Sequence, residues 1–280
     1  MFSLSTHQKI SIASIISKFL IFIFKKKERE ITRNNVKYTI NLEEGIDLGI
    51  FLGIKNEKKL FNIEKIFNKK KRYIFIDIGA NVGSVSLPLA YLFRKAKVIS
   101  IEPTLYAYSK LKKNISHNPN LKRRILALNL FISKNKKKVK KVYSSWNLTE
   151  KENKHTVHRG ILKKTSNKSM TLDHVLKKIK KVDLIKIDVD GHELDVLKSG
   201  QRTLKKFKPL IHFELAPYLY REYGYNTKKI INFITKILGY EFFSEDFKKI
   251  NNIREIANSI NNRSENFFLI HKEKVNSLKL

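Results

Sequence analysis

The chain is 280 residues long and carries 58 Lys and Arg against 25 Asp and Glu, a formal net charge of +33. Its 42% hydrophobic and 11% aromatic content can bury a core, which excludes global disorder, and the absence of cysteine excludes a disulfide framework or a Cys-ligated zinc site. Charge of this sign suits nucleic acid, anionic lipid or an acidic glycan, but the chain is rich in Lys, Asn and Ile, residues of A/T-rich codons, and drift of composition accounts for most of its surface lysine.

The length suits one large domain behind a short N-terminal extension. Residues 1–34 hold the run ISIASIISKFLIFIF followed by Lys25-Lys26-Lys27. Ile12, Ile15, Ile16, Phe19, Leu20 and Ile23 fall at helical spacing on one face, with Ser11, Ser14 and Lys18 opposite. The run is too short, and too broken by Lys18, to span a bilayer, and it lacks a small-residue cleavage site. Two readings stay open: a helix docked on protein, or peripheral contact of residues 10–27 with an anionic membrane. The expected location is cytoplasmic, with that peripheral contact as an option.

Residues 35–72 read as a small cap, with a strand around Val36–Ile40 and helical pieces through Phe67. From residue 73 to 280, strand and helix patterns alternate, which predicts a parallel α/β sheet. Strands are expected at Tyr73–Ile78, Lys97–Glu102, Arg124–Phe131, Asp183–Val189 and Leu210–Leu215. A helix is expected over Gly83–Arg94 with a late start or kink at Pro88, and another over Thr104–His117. Residues 132–170 form a Lys/Ser/Asn-rich variable insert that faces substrate, with Trp146 and an edge strand at Val139–Ser145. His155 and His158 read as surface histidines rather than a zinc pair. A helix near Thr227–Leu238 follows.

The segment YIFIDIGANVGS, Tyr73–Ser84, carries the chemistry. Its apolar run suits a strand buried on both faces, and Gly79, Asn81 and Gly83 tolerate the left-handed backbone of a tight turn. A dinucleotide site would read G-x-G-x-x-G. Here Asp77 stands ahead of the glycines, where an acid repels phosphate but can pair with an ammonium. That favours a zwitterionic ligand such as S-adenosylmethionine. Glu102, at the end of the next apolar run, can accept hydrogen bonds from ribose hydroxyls. Asp188 follows the apolar run Leu184–Ile187 at a strand end, where ligands of open α/β sheets sit. His192 lies near the start of the next helix, whose dipole favours a neutral imidazole able to act as a base; a cap histidine satisfied by backbone is the alternative. Asp190 and Glu193 read as charges complementing that helix. Glu214 is a weaker candidate, and His212 a packing or solvent-facing residue. Asp188, Asp190 and Glu193 could offer oxygen ligands to magnesium, but no metal site is expected.

Three segments resemble the FkbM family of S-adenosylmethionine-dependent methyltransferases: FIDIGANVGSVSLPLA (Phe75–Ala90), VISIEPTLYAYSKLKKNI (Val98–Ile115), and TLDHVL (Thr171–Leu176) with LIKIDVDGHELDVLKSG (Leu184–Gly200). The resemblance covers roughly residues 70–215. It implies a Rossmann-like methyltransferase sheet, mostly parallel, with a reversed hairpin near Tyr240–Ser244 and Asn266–His271. It also implies methylation of a hydroxyl-bearing acceptor, a natural product, sugar or glycan. Phe131 stands where the family more often has a small residue, and no acid there meets the adenine amino group. A nucleic-acid methyltransferase is the competing reading suggested by charge. It lacks the Asn-Pro-Pro-aromatic motif after the fourth strand, and the basic residues are dispersed without interleaved aromatics, so specific nucleic-acid binding is not expected. A non-catalytic protein that binds anionic surfaces on the same fold is the third reading.

Overall fold

The computed structural model describes residues 6–54, 58–135, 139, 141–144, 147–148, 161–166, 168–260 and 263–276. Trp146, His155 and His158 lie outside the described residues. The chain opens with helix α1 (Thr6–Phe24), then a hairpin of β1 (Glu28–Arg33) and β2 (Val36–Asn41), helix α2 (Gly45–Leu52) and a 3₁₀ helix at Lys58–Lys65. Strand β1 has no counterpart in the sequence reading; Glu28, Arg29 and Glu30 alternate in charge and Ile31 is its only apolar residue. The division expected between residues 34 and 35 falls on the turn of this hairpin, where Asn34 and Asn35 both take positive φ.

The large sheet uses β3 (Ile74–Ile78), β4 (Lys97–Ile101), β5 (Ile125–Leu128), β10 (Leu184–Ile187), β11 (Leu210–Leu215), β12 (Tyr240–Phe243) and β13 (Glu265–His271). Their order across the sheet is β12-β13-β11-β10-β3-β4-β5. Strands β5 to β11 pair in parallel, and β13 runs antiparallel to both neighbours. This is the mostly parallel Rossmann-like sheet with one reversed strand, β13, inserted between β11 and β12. Strand order reverses between β3 and β10, so the cleft of the fold opens at their carboxyl ends.

Helix α3 (Ser86–Leu92) starts three residues later than the glycine turn, as Pro88 requires: the proline sits in the first turn, where no intrahelical N–H is missed. Helix α4 (Leu105–Ser116) is capped by the Thr104 side chain, and α5 (Pro119–Lys122) follows. Asn118 and Asn114 accept from the backbone N–H groups of Lys37 and Thr39 at 3.0 and 2.8 Å, so the N-terminal hairpin is bonded to the main domain by side-chain amides.

Two expected strands change. The strand expected to run through Phe131 ends at Leu128, because Asn129 turns aside to donate to the carbonyls of Glu102 and Pro103. Strand β6 (Phe131–Ile132) then pairs with β9 (Ser169–Met170), and β7 (Lys141–Ser144) pairs with β8 (Ile161–Lys164) in a separate hairpin rather than at the edge of the large sheet. Helix α6 (Leu172–Val175) leads into β10, and α7 (Glu193–Ser199) and α8 (Gln201–Phe207) follow it.

Alternation along the central strands feeds two cores. Ile76, Ile78, Ile99, Ile185 and Ile187 pack on one face with Leu194, Leu197 and Leu204. Phe75, Val98 and Leu184 pack on the other with α3, α4 and the N-terminal hairpin. The second face also carries a buried polar row, Ser100, Asp77, Lys186 and His212, on four neighbouring strands at matching register. Such a row is tolerated only when its members satisfy one another.

Helix α1 departs from its predicted faces. Ile10, Ala13, Ile16, Leu20, Ile21 and Phe24 pack against the core, whereas Ile12, Ile15, Phe19 and Ile23 point outward with Phe22. The single stripe read from the sequence is two stripes, because the helix is apolar around most of its circumference. Among the described residues no helix is long and apolar enough to cross a membrane.

Candidate active site

The first wall of the site is the turn that follows β3. Gly79 takes φ +82°, and a Cβ there would lie 1.8 Å from the carbonyl oxygen of Asp188 on the adjacent strand. Only glycine lets these two strand ends approach so closely. The amides of Gly79 and Ala80 donate to the Ile101 carbonyl at 3.0 and 3.1 Å. Asn81, at φ +45°, donates its backbone N–H to Glu102 Oε2 at 2.9 Å. Glu102 is itself buried, and its Oε1 accepts from the Thr104 amide and hydroxyl at 2.9 and 2.6 Å. The glycine turn and the acid after β4 are thus joined by a direct hydrogen bond, a contact that the sequence reading does not include.

Asp77 and Gly83 stand apart from the cavity that the other predicted residues line. Asp77 is fully buried beneath the turn. Its Oδ2 accepts from Ser86 Oγ at 2.5 Å, Ser86 bonds on to Ser100 at 2.6 Å, and Lys186 Nζ lies 3.8 Å from Oδ1. Burial raises its carboxyl above the ordinary range, with Lys186 and Ser86 opposing. Strand alternation aims the Asp77 side chain into the second core, where it supports the turn from below; the sequence reading has it pair directly with a ligand ammonium. Gly83 serves packing: a Cβ would meet Leu87 and Leu111 at 2.7 and 2.8 Å.

The second wall is the turn after β10. Asp188, Asp190 and His192 all line the cavity together with Gly79, Asn81, Glu102, Phe131, Glu214 and Tyr218. This cavity, about 730 Å³, reaches on to Asn35, Ile50, Phe61 and Tyr91 of the N-terminal elements and α3. Asp188 Oδ2 lies 3.1 Å from Lys186 Nζ. Burial alone would raise Asp188, but Lys186 and a hydrogen bond from Glu214 bring it below the usual carboxylate range. Asp188, Asp190 and Glu214 place carboxylate oxygens within 4.8 Å of one another. Carboxylates this close cannot all ionise. Burial and the neighbouring Asp188 push Asp190 up to about 8, and the same two causes hold Glu214 well above its ordinary value. The set could accept a cation, although its third member is Glu214 rather than the Glu193 of the sequence reading.

Glu193 is fully buried at the first position of α7, and its Oε1 accepts from the amides of Val189 and Gly191 at 3.1 and 3.2 Å. It ties the turn rather than only complementing the helix dipole. His192 occupies the N-cap position of α7 but makes no side-chain cap bond. Its ring packs edge-on to Phe131, with centroids 5.0 Å apart, and lies 4.2 Å from the ring of Tyr223. Burial pushes its pKa down to about 4, with Asp195 opposing. The imidazole is neutral, as expected, but desolvation between aromatic rings is the dominant cause. Phe131, odd in the sequence, thus finds a use as one of these rings. His212 is buried and bonded to Glu245 at 2.9 Å, a packing residue.

Sequence reasoning missed Lys186. It is 3% exposed and reaches Asp77, Asp188 and the Gly79 carbonyl at 3.8, 3.1 and 3.2 Å, joining both turns. The available signal was one cation inside the apolar run LIKI, in a strand whose two faces are both covered.

A family model for the methyltransferase FkbM domain matches residues 77–242. No curated protein matches the chain. Among solved structures, a methyltransferase FkbM from Methylobacillus flagellatus KT is 16% identical, with a TM-score of 0.45 over 73% of this chain and 44% of that one. This chain therefore spans less than half the length of that protein. A human methyltransferase 10 domain containing protein is 14% identical, with a TM-score of 0.47 over 96% and 99% of the two chains. TYW2 of M. jannaschii, solved in complex with AdoMet, is 14% identical, with a TM-score of 0.42 over 88% and 84%.

Proposed function

The chain belongs to the methyltransferase FkbM domain family, and from that premise we propose that it is an S-adenosylmethionine-dependent methyltransferase acting on a hydroxyl oxygen of a sugar, glycan or lipid-linked saccharide. The observation that supports this best is a neutral imidazole on the wall of the same cavity that the glycine turn lines.

When bound, S-adenosylmethionine supplies a methyl group made electrophilic by the attached sulfonium. The residues suit such a ligand. Gly79 leaves bare backbone at the turn, the acidic Asp188 suits an ammonium, and Asn81 with Glu102 offers polar atoms to ribose hydroxyls. Asp77 holds the turn through Ser86 and Lys186. Asn35 and Tyr91, bonded to each other at 2.7 Å, stand with Ile50 and Phe61 in the further part of the cavity. That mixture of amide, hydroxyl and apolar groups fits the polar rim and apolar face of a saccharide.

A ring nitrogen of His192 receives the proton that the acceptor hydroxyl sheds as its oxygen is alkylated. A base of such low pKa suffices, because an alkylated oxygen still carrying its proton is strongly acidic. Positioning of acceptor and methyl donor in one desolvated cavity supplies most of the remaining rate enhancement.

Calorimetry with S-adenosylmethionine, followed by methyl transfer to a panel of saccharide acceptors, tests the reading. His192→Gln is expected to keep cofactor affinity and lose about 10²–10⁴-fold in transfer. A folded wild type that binds no S-adenosylmethionine would sink the enzyme reading. Transfer to RNA in place of saccharides would sink the acceptor class.

A further inference from the structure

Helix α1 uses only half of its apolar surface to hold on to the domain. Ile12, Ile15, Phe19, Phe22 and Ile23 fall on one contiguous outer arc, and Phe22, Ile15 and Phe19 are 78%, 69% and 61% exposed. Five of the eleven large apolar side chains that the described residues leave exposed lie on this one arc. Apolar side chains scattered singly need no explanation, but a contiguous stripe marks a surface that is covered by something else. The opposite stripe is already spent on the core, so the helix cannot turn over to hide the outer one.

The chemistry around the stripe selects its occupant. Lys18 is exposed on the edge of the arc, and Lys25 and Lys26 are exposed directly after the helix. A second copy of the chain, docked by two-fold symmetry on this stripe, would bring two sets of these lysines together between bodies that each carry +33. An anionic bilayer surface reverses the sign of that interaction: apolar side chains enter the acyl boundary while lysines stay at the headgroups. We propose that the outer stripe of α1, with Lys18, Lys25 and Lys26, is a monotopic anchor for a membrane surface bearing anionic lipid. The anchor lies in the plane of the surface.

The packing connects this anchor to the cavity. Phe24 of α1 meets Phe51 of α2 edge-on, with centroids 5.9 Å apart, while Ile46, Gly49, Ile50 and Gly53 of the α2 segment line the cavity. A single helix therefore separates the anchor from the cavity wall. Ile54, just beyond α2, both lines the cavity and is 59% exposed. The anchor does not depend on the reaction proposed above, and it can stand or fall separately.

Co-sedimentation of the full chain with vesicles tests it, comparing phosphatidylglycerol mixed into phosphatidylcholine with phosphatidylcholine alone. The wild type is expected to bind the mixed vesicles and to bind neutral ones far less. The Phe19→Glu/Phe22→Glu variant alters only outward side chains, and circular dichroism checks that it stays folded. It is expected to lose about a hundredfold in vesicle affinity. Lys25→Glu/Lys26→Glu is expected to lose about tenfold or more. Three results would overturn the proposal: no sedimentation of the wild type with mixed vesicles, sedimentation unchanged by the double phenylalanine substitution, or a wild-type dimer in solution that this substitution makes monomeric.

Discussion

The turns after β3 and β10 leave adjacent parallel strands at the same end of the sheet, and each contains left-handed residues: Gly79, Asn81 and Gly83 in one, Asp190 and Gly191 in the other. They differ in how their acids are grouped. In the first, Asp77 is held by Ser86, and Glu102 by Thr104 and Asn81. In the second, Asp188 and Asp190 crowd with Glu214 of β11 within 4.8 Å, and a desolvated imidazole sits between two aromatic rings. Bonded polar groups fix a shape. Burial raises the carboxyls of Asp77 and Glu102 as well; the second turn adds mutual repulsion among its acids and a desolvated imidazole on the cavity wall, the condition in which side chains can take or give a proton at neutral pH. The contrast separates a turn that shapes the cavity from one that equips it.

The hardest way to break that contrast is at the contact between the turns. Gly79→Ala forces a Cβ against the Asp188 carbonyl and is expected to cost roughly 3–5 kcal/mol of stability. Chemical denaturation measures it, and a loss below about 1 kcal/mol would show that the strand ends give way easily. Next is Lys186→Met, which leaves Asp77 and Asp188 without their shared cation. The expected loss is about 3 kcal/mol, partly restored by adding Asp77→Asn. An additive double variant would mean that Lys186 does not couple the two turns.

The pH dependence sharpens the comparison. His192 falls from 6.5 to about 4 on folding. Its folded pKa is depressed, so its contribution is present above about pH 6.5 and lost as pH falls through about 4, by up to about 3 kcal/mol for a shift of that size. His192→Phe should flatten this acid limb. Asp190 runs the other way: its folded pKa is raised to about 8, so its contribution is full below the ordinary carboxylate range and lost as pH rises through about 8. Asp190→Asn should remove that alkaline loss, and unchanged stability curves for both variants would contradict the desolvation argument. The smallest effect is expected for S-adenosylmethionine affinity in Asp77→Asn. Support from below predicts a loss under about tenfold, whereas direct pairing with the ligand predicts a loss well beyond that, and calorimetry distinguishes them.

Much of this was readable in the chain. The central strands of the large sheet, the late start of α3 at Pro88 and the glycine turn follow from local pattern. Four features of the molecule required contacts between distant residues. Asp77 reads as a ligand partner in sequence, but which face its side chain takes depends on strand alternation and on what packs against that face. Gly83 reads like Gly79 in sequence, yet one meets Leu87 and Leu111 and the other meets a strand end. Lys186 has no local signature of its partners, because register brings it beside Asp77 from 109 positions away in the chain. Helix α1 reads as one stripe, and only packing on the core reveals a second.

By itself, then, the sequence determined the alternating strand and helix periods, the left-handed turn and the set of acids and histidine available to the site, since each depends on neighbours within a few positions. The tertiary structure decided which of those groups are bonded, which are crowded and which face the cavity. Those outcomes depend on strand order and register, where residues far apart in the chain become neighbours within a few ångströms and burial sets their charge.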